Sequence, residues 1–152
     1  MLQVGDAGLS PDEAQSHFAA WAVVAAPLLI SNDLVSGLDA ATLAILSAPE
    51  VIAVDQDALG VQGVRVSDHA PQGAECWARP LADGSVAALL LNRAATAGDV
   101  ACTWAQLGLK NPAGAASVRD LWARKDLGDF TGGFTAATLA SHASMLIKVA
   151  QP

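Results

Sequence analysis

Three carboxylates within one short stretch, Glu50, Asp55 and Asp57, are the densest set of chemical groups in the chain. Acids at close spacing can hold a divalent cation or share acid–base work. Their order along a capped helical stretch instead makes them a solvated face. The histidines are single. His17 sits on a helical stretch one turn from Glu13 and Trp21 and reads as a hydrogen-bonded packing residue rather than a catalyst. His69 and His142 lie near turns with no partner visible in the sequence. Cys76 and Cys102 are too few for a disulfide framework and have no metal-ligand spacing. They read as buried free thiols acting as small hydrophobes, with one disulfide across a sheet as the alternative. Trp77, Trp104 and Trp122 offer faces on which a pyranose ring can stack, but strand aromatics pack the core by default. Asp33 follows an apolar run and reads as the cap of the next turn, with support of a pocket as the alternative.

The elements that must position these groups start with residues 10–33. Ser10 is an N-cap, Pro11 stands at N1, and Glu13 completes a capping box. Phe18, Trp21, Ala22 and Ala25 repeat at i, i+3, i+4 and i+7 as one apolar stripe. Pro27 ends the helix. Leu28-Leu29-Ile30 is apolar throughout, as expected of a strand buried on both faces. A helix feeding such a strand is a piece of a parallel α/β fold, and polar residues at the strand's C-terminal end stand where those folds place their chemistry.

Met1-Leu2-Gln3-Val4 looks like the tail of a strand whose beginning is missing. A second helix is capped by Asp39, carries Leu43, Ile45 and Leu46, and is closed by Pro49. Residues 50–57 lean helical, and 59–63 form a Gly-punctuated linker. From Val64 onward the period shortens. Strands are expected at 64–66, 74–81, 86–91, 100–104, 117–123, 136–139 and 145–149, with Asp83-Gly84 as the hairpin cue. Residues 125–128 and 131–133 read as turns. Short strands without intervening helices imply an antiparallel sandwich with 86–91 at its centre.

At 152 residues the chain holds one domain, or one plus part of another. It is 53% hydrophobic and 15% charged, well below the roughly one quarter charged in average domains, so it is core-rich rather than disordered. A net charge of −7 without a Lys/Arg cluster argues against nucleic acid. No run is long enough to cross a membrane, and no signal peptide is recognisable.

Four segments together resemble one family. His17 to Leu28 with Ser31-Asn32-Asp33-Leu34, Glu50 to Gly63, Val118-Arg119-Asp120-Leu121-Trp122, and Lys125-Asp126-Leu127-Gly128 are similar, in order, to the C-terminal part of melibiase-type α-galactosidases, glycoside hydrolase family 27. The resemblance implies α/β plus all-β architecture. Residues 1–63 would be the last quarter of a (β/α)8 barrel, and 64–152 an antiparallel Greek-key sandwich. Residues 50–57 would be helical.

The family hydrolyses terminal α-galactosides with retention, using two aspartates whose carboxyls lie ~5–5.5 Å apart. The resemblance places both upstream of Met1, so no Asp of this chain inherits either role, no metal or cofactor is implied, and the chain alone is expected to be inactive. Met1 resembles the methionine of an Asp-Pro-Asp-Met segment that lines the sugar pocket. The implied compartment is secreted, periplasmic or lysosomal. Other readings are a stand-alone carbohydrate-binding sandwich, or the same chemistry on α-N-acetylgalactosaminides or β-L-arabinopyranosides. With most of a barrel missing, an exposed apolar patch over Phe18 to Ile30 and self-association are expected.

Overall fold

A computed structural model describes residues 1–67 and 73–152; His69 lies outside the described residues. Among the described residues, three helices precede eight strands. Helix α1, Pro11–Val23, begins as its sequence dictates: the Ser10 hydroxyl accepts the Glu13 N–H, and the Glu13 carboxylate accepts the Ser10 N–H at 2.8 Å. It ends with Ala25 in the left-handed region, where the Ala26 and Ala25 amides bond back to Trp21 and Ala22. Helix α2, Ala40–Leu46, is capped by the Asp39 carboxylate. Pro49 does not close it. Ser47 does, and Pro49 opens the next helix, α3 (Pro49–Asp55), at a position where its missing N–H costs nothing. The helical reading of this stretch therefore holds.

The strands are β1 (Val64–Arg65), β2 (Ala74–Pro80), β3 (Val86–Asn92), β4 (Gly98–Thr103), β5 (Ala115–Asp120), β6 (Lys125–Thr131), β7 (Gly133–Leu139) and β8 (Ser144–Ala150). Six form an antiparallel sheet in the order β1-β2-β3-β8-β5-β6, and β4 pairs with β7 in a second sheet. Strand β3 is central, as its apolar run requires. Residues 125–128, expected as a turn, instead begin strand β6, while the turn expected at 131–133 is the tight link between β6 and β7 at Gly132. The Lys, Asp and Gly residues of β6 suit its place at the sheet's solvent edge, where it pairs with β5 across a bulge at Val118/Arg119.

Both faces of the large sheet are covered. Alternate residues of β3 face opposite ways: Val86, Ala88 and Leu90 join Cys102, Trp104, Phe134 and Ile147 between the two sheets. Ala87 and Leu89 join Leu146 on the other face, against Phe18, Ala19, Ala22 and Val23 of α1. The result is three layers: helices, large sheet, small sheet.

This layering corrects two expectations. The α1 stripe is not exposed: Phe18 and Ala22 are buried under the sandwich, and Trp122 stacks 6.2 Å from the Phe18 ring. A sheet that is apolar on both faces supplies the cover that a complete barrel was thought to be needed for. Conversely, Leu28–Ile30 is not a strand buried on both faces. Leu29 is 59% exposed, and the segment's backbone bond to 1–4 is the Leu2 N–H to Leu29 carbonyl, 2.8 Å. A strand is buried only when neighbours flank both edges, and among the described residues only 1–4 flanks it.

The cysteines are also corrected. Cys76 on β2 and Cys102 on β4 form a disulfide joining the two sheets, with Cα atoms 5.8 Å apart. Both face the inter-sheet layer, an arrangement that strand periodicity alone does not reveal. Closing a loop across 26 residues removes conformational freedom from the unfolded chain, worth about 3 kcal/mol. Urea melts of a Cys76→Ala/Cys102→Ala variant should show that loss. A midpoint within error of wild type would mean that the inter-sheet packing holds the layers without the bond.

Candidate functional site

The residue assigned to a sugar pocket, Met1, stands at the head of an extended segment with alternating burial. Met1 is 68% exposed, while Leu2 and Val4 are buried. Such alternation is that of a strand end with one face on the core. Leu2 and Val4 pack into the same core as α1, α2 and α3. Residues 29–32 hold the segment from one side: Leu2 N–H donates to Leu29, Ser31 Oγ–H to the Leu2 carbonyl at 2.8 Å, and Asn32 Nδ2 to the Val4 carbonyl at 2.8 Å. From α1, His17 Nε2 accepts the Gln3 N–H at 3.2 Å and its ring lies 4.3 Å from that of Trp21. An acceptor Nε2 requires neutral imidazole. Burial lowers the His17 pKa and favours that form. His17 thus has a packing role, and that role reaches the Met1 segment.

Asp33 caps the next turn. Its carboxylate accepts the Ser36 hydroxyl at 2.7 Å and the Val35 N–H at 2.8 Å, and these bonds lower its pKa.

The three acids of 50–57 turn to separate partners. Glu50 takes Arg119 in a two-pronged pair, at 2.8 Å from Nε and 2.7 Å from Nη2, which lowers its pKa. Arg119 also bonds Asp126 at 2.8 Å. The Asp55 carboxylate accepts from the Gln56 amide, and burial raises its pKa. Asp57 accepts the Leu59 and Ala82 amides at 3.0 and 2.9 Å. Among the described residues, no cluster of His, Cys, Asp or Glu has the makings of a metal site.

The indoles are likewise dispersed. Trp104 is fully buried and donates to the Phe130 carbonyl at 3.3 Å. Trp77 donates to Glu75 at 3.0 Å, and Glu75 also pairs with Arg93 and Arg65. With Ala20, Val23, Val24, Leu89 and Leu91, Trp77 walls a small apolar gap of about 70 Å³. Trp122 packs on Phe18. The three indoles do not form one sugar platform. The His142 carbonyl accepts Ser16 Oγ–H at 2.8 Å, which ties the β7–β8 turn to α1.

Sequence reading missed two arginines. Arg79 on β2 is 1% exposed and donates to the Ala22 carbonyl at 2.6 Å and to the Asp55 carbonyl at 3.1 Å, so it joins the last turns of α1 and α3 to the sheet. Arg119 joins α3 to β5. A cation next to the apolar run of β2, flanked by Ala78 and Pro80, was the available signal for Arg79. These contacts make a frame that ties helices to sandwich, with the Met1 segment at its edge.

Comparison with known proteins bears on what that frame belongs to. Residues 1–57 match the family model described as alpha galactosidase A, and residues 71–149 match the alpha galactosidase C-terminal beta sandwich domain. Alpha-galactosidase of Coffea arabica is 40% identical over 151 residues, 99% of this chain and 39% of that protein. A probable alpha-galactosidase of Dictyostelium discoideum is 37% identical over 139 residues, 91% of this chain and 36% of that protein. The crystal structure of alpha-galactosidase I from Mortierella vinacea superposes with a TM-score of 0.90 at 30% identity, covering 98% of this chain and 38% of that one. The chain therefore spans about two fifths of the length of these relatives. The order of helices and layers is that of a barrel end joined to its sandwich, and the chain belongs to the melibiase-type α-galactosidase family, glycoside hydrolase family 27.

Proposed function

We propose that this chain forms the C-terminal part of a retaining α-galactosidase that hydrolyses terminal α-D-galactosyl residues. Residues 1–63 end the barrel and 64–152 form the sandwich domain. Met1 contributes to the sugar-binding pocket. In this reading the nucleophile and the acid–base carboxylate belong to the part of the relatives' length that this chain does not span, while Asp33 and Asp39 cap turns, Glu50 pairs with Arg119 and Asp57 accepts two backbone amides. The observation that carries the reading is the match of both family models, in order, to chemistry named α-galactosidase in the relatives. The buried disulfide suits an oxidising compartment.

Two measurements test it. This chain alone should show no turnover of a chromogenic α-galactoside above a blank; turnover would place catalytic carboxylates within it. The protein read from the encoding DNA upstream of Met1 should hydrolyse that substrate, and inactivity there would overturn the α-galactosidase reading.

The same proposal includes self-association of the isolated chain. Leu29, Ile30, Leu34 and Val35 are 59%, 41%, 61% and 97% exposed along one continuous stretch. Sedimentation should show concentration-dependent dimers or larger species, and Leu29→Asp/Val35→Asp should shift them to monomer. A monomeric wild-type chain at high concentration would refute this.

A further inference from the structure

We propose that His17 is a positioning residue for the sugar pocket, holding the Gln3 amide and so fixing where Met1 stands relative to α1. The proposal rests on the reading of Met1 given above. Besides the local turn bond from the Asp6 N–H to the Gln3 carbonyl, four hydrogen bonds to residues 1–4 do the holding. Three come from residues 29–32, which carry exposed Leu29 and Ile30 and so lie at the edge of the core. The fourth, Gln3 N–H to His17 Nε2, comes from α1. Helix α1 is anchored to the sandwich at two places. Phe18, Ala19, Ala22 and Val23 are buried against the large sheet, and the Ser16 hydroxyl is bonded to the β7–β8 turn. A rigid support two residues from a binding side chain is what pre-organised sites require.

The imidazole is itself held. Its ring lies against that of Trp21 one turn along, centroids 4.3 Å apart and planes tilted by 45°, a contact that favours the orientation meeting the Gln3 amide. The sandwich thereby gains a short mechanical route to the pocket: large sheet to α1, α1 to His17, His17 to Gln3, Gln3 to Met1. Met1 would contact substrate in ground and transition states alike, so loosening it should weaken binding more than turnover.

The test uses His17→Phe, which keeps a ring against Trp21 but offers no acceptor. It also uses His17→Gln, whose amide oxygen stands near the place of Nε2. In this chain, hydrogen exchange at the Gln3 amide should rise roughly tenfold in His17→Phe and return towards wild type in His17→Gln, the scale expected for one hydrogen bond. In the longer protein, His17→Phe should raise KM for a chromogenic α-galactoside about 3- to 10-fold with kcat within about twofold. His17→Gln should restore KM. Unchanged Gln3 exchange in His17→Phe overturns the proposal. So does altered exchange with unaltered KM, which would make the bond a local fixture of the helix. An inactive wild-type longer protein overturns the functional reading and the pocket role with it, while the exchange result still decides the His17–Gln3 contact.

Discussion

Phe18→Ala should lower the unfolding free energy of this chain by about 3–5 kcal/mol, the range for removing a large aromatic from a packed core. The ring is 1% exposed and lies where three bodies meet: α1 itself, the large sheet through Leu89 and Leu146, and Trp122 beyond β5. None of these can close the gap without moving the others, because Trp122 is anchored by its amide to Asp120 and α1 by Arg79. The loss should also be uneven. The layer between the two sheets does not contain Phe18. The helices should therefore come off the sandwich before the sandwich unfolds, and helical circular dichroism should fall at lower urea than the signal of buried Trp104. Leu43→Ala, at a side chain 52% exposed, should stay within about 0.5 kcal/mol of wild type. A Phe18→Ala cost no larger than that control would mean α1 does not rest on the sheet in solution.

That prediction reverses an expectation drawn from the sequence, and the reason shows what was legible. Caps, periods and hairpin cues are local, and they located α1, α2, α3 and most strands, down to the capping box of Ser10 and Glu13. The central place of β3 followed from an apolar run that only two-sided burial explains. Which layer covers which is not local. The stripe on α1 announces that something packs there, but nothing in residues 10–25 says that the partner is β3 and β8 rather than a neighbouring barrel element. The same limit hid the Cys76–Cys102 bond, which needs two sheets brought face to face. Strand β6 was hidden for the opposite reason: an edge strand facing solvent carries the composition of a turn. At the candidate site, the resemblance marked Met1 and the residue types marked His17 and Asp33. The hydrogen bond from Gln3 to His17 spans 14 positions and exists only once α1 has folded back beside residues 1–4.

Replacing Arg79 with methionine should cost about 4 kcal/mol. Its guanidinium is buried and bonds two backbone carbonyls, Ala22 in the last turn of α1 and Asp55 at the end of α3. Charge-assisted bonds contribute about 1.5–3 kcal/mol each, and the C-terminal ends of both helices add a favourable dipole for a cation. Methionine fills most of the volume, so the loss reports the bonds rather than a cavity. Lysine should rescue little, because one ammonium lacks the planar fork that reaches two separated carbonyls. The loss should depend on pH. Burial raises the Asp55 pKa above 3.8 while the charge of Arg79 pulls it down. Without Arg79 the folded-state value rises further. A folded state that holds a proton more tightly than the unfolded chain loses stability as pH climbs from the unfolded pKa through the folded one. The difference between Arg79→Met and wild type should therefore be larger near pH 7 than near pH 4, and comparing the two proteins cancels the titration of the carboxylates they share. Urea midpoints at the two pH values give the answer. A pH-independent difference would show that Asp55 does not feel the arginine. A difference below about 1 kcal/mol would show that the helices are held to the sandwich by apolar contact alone.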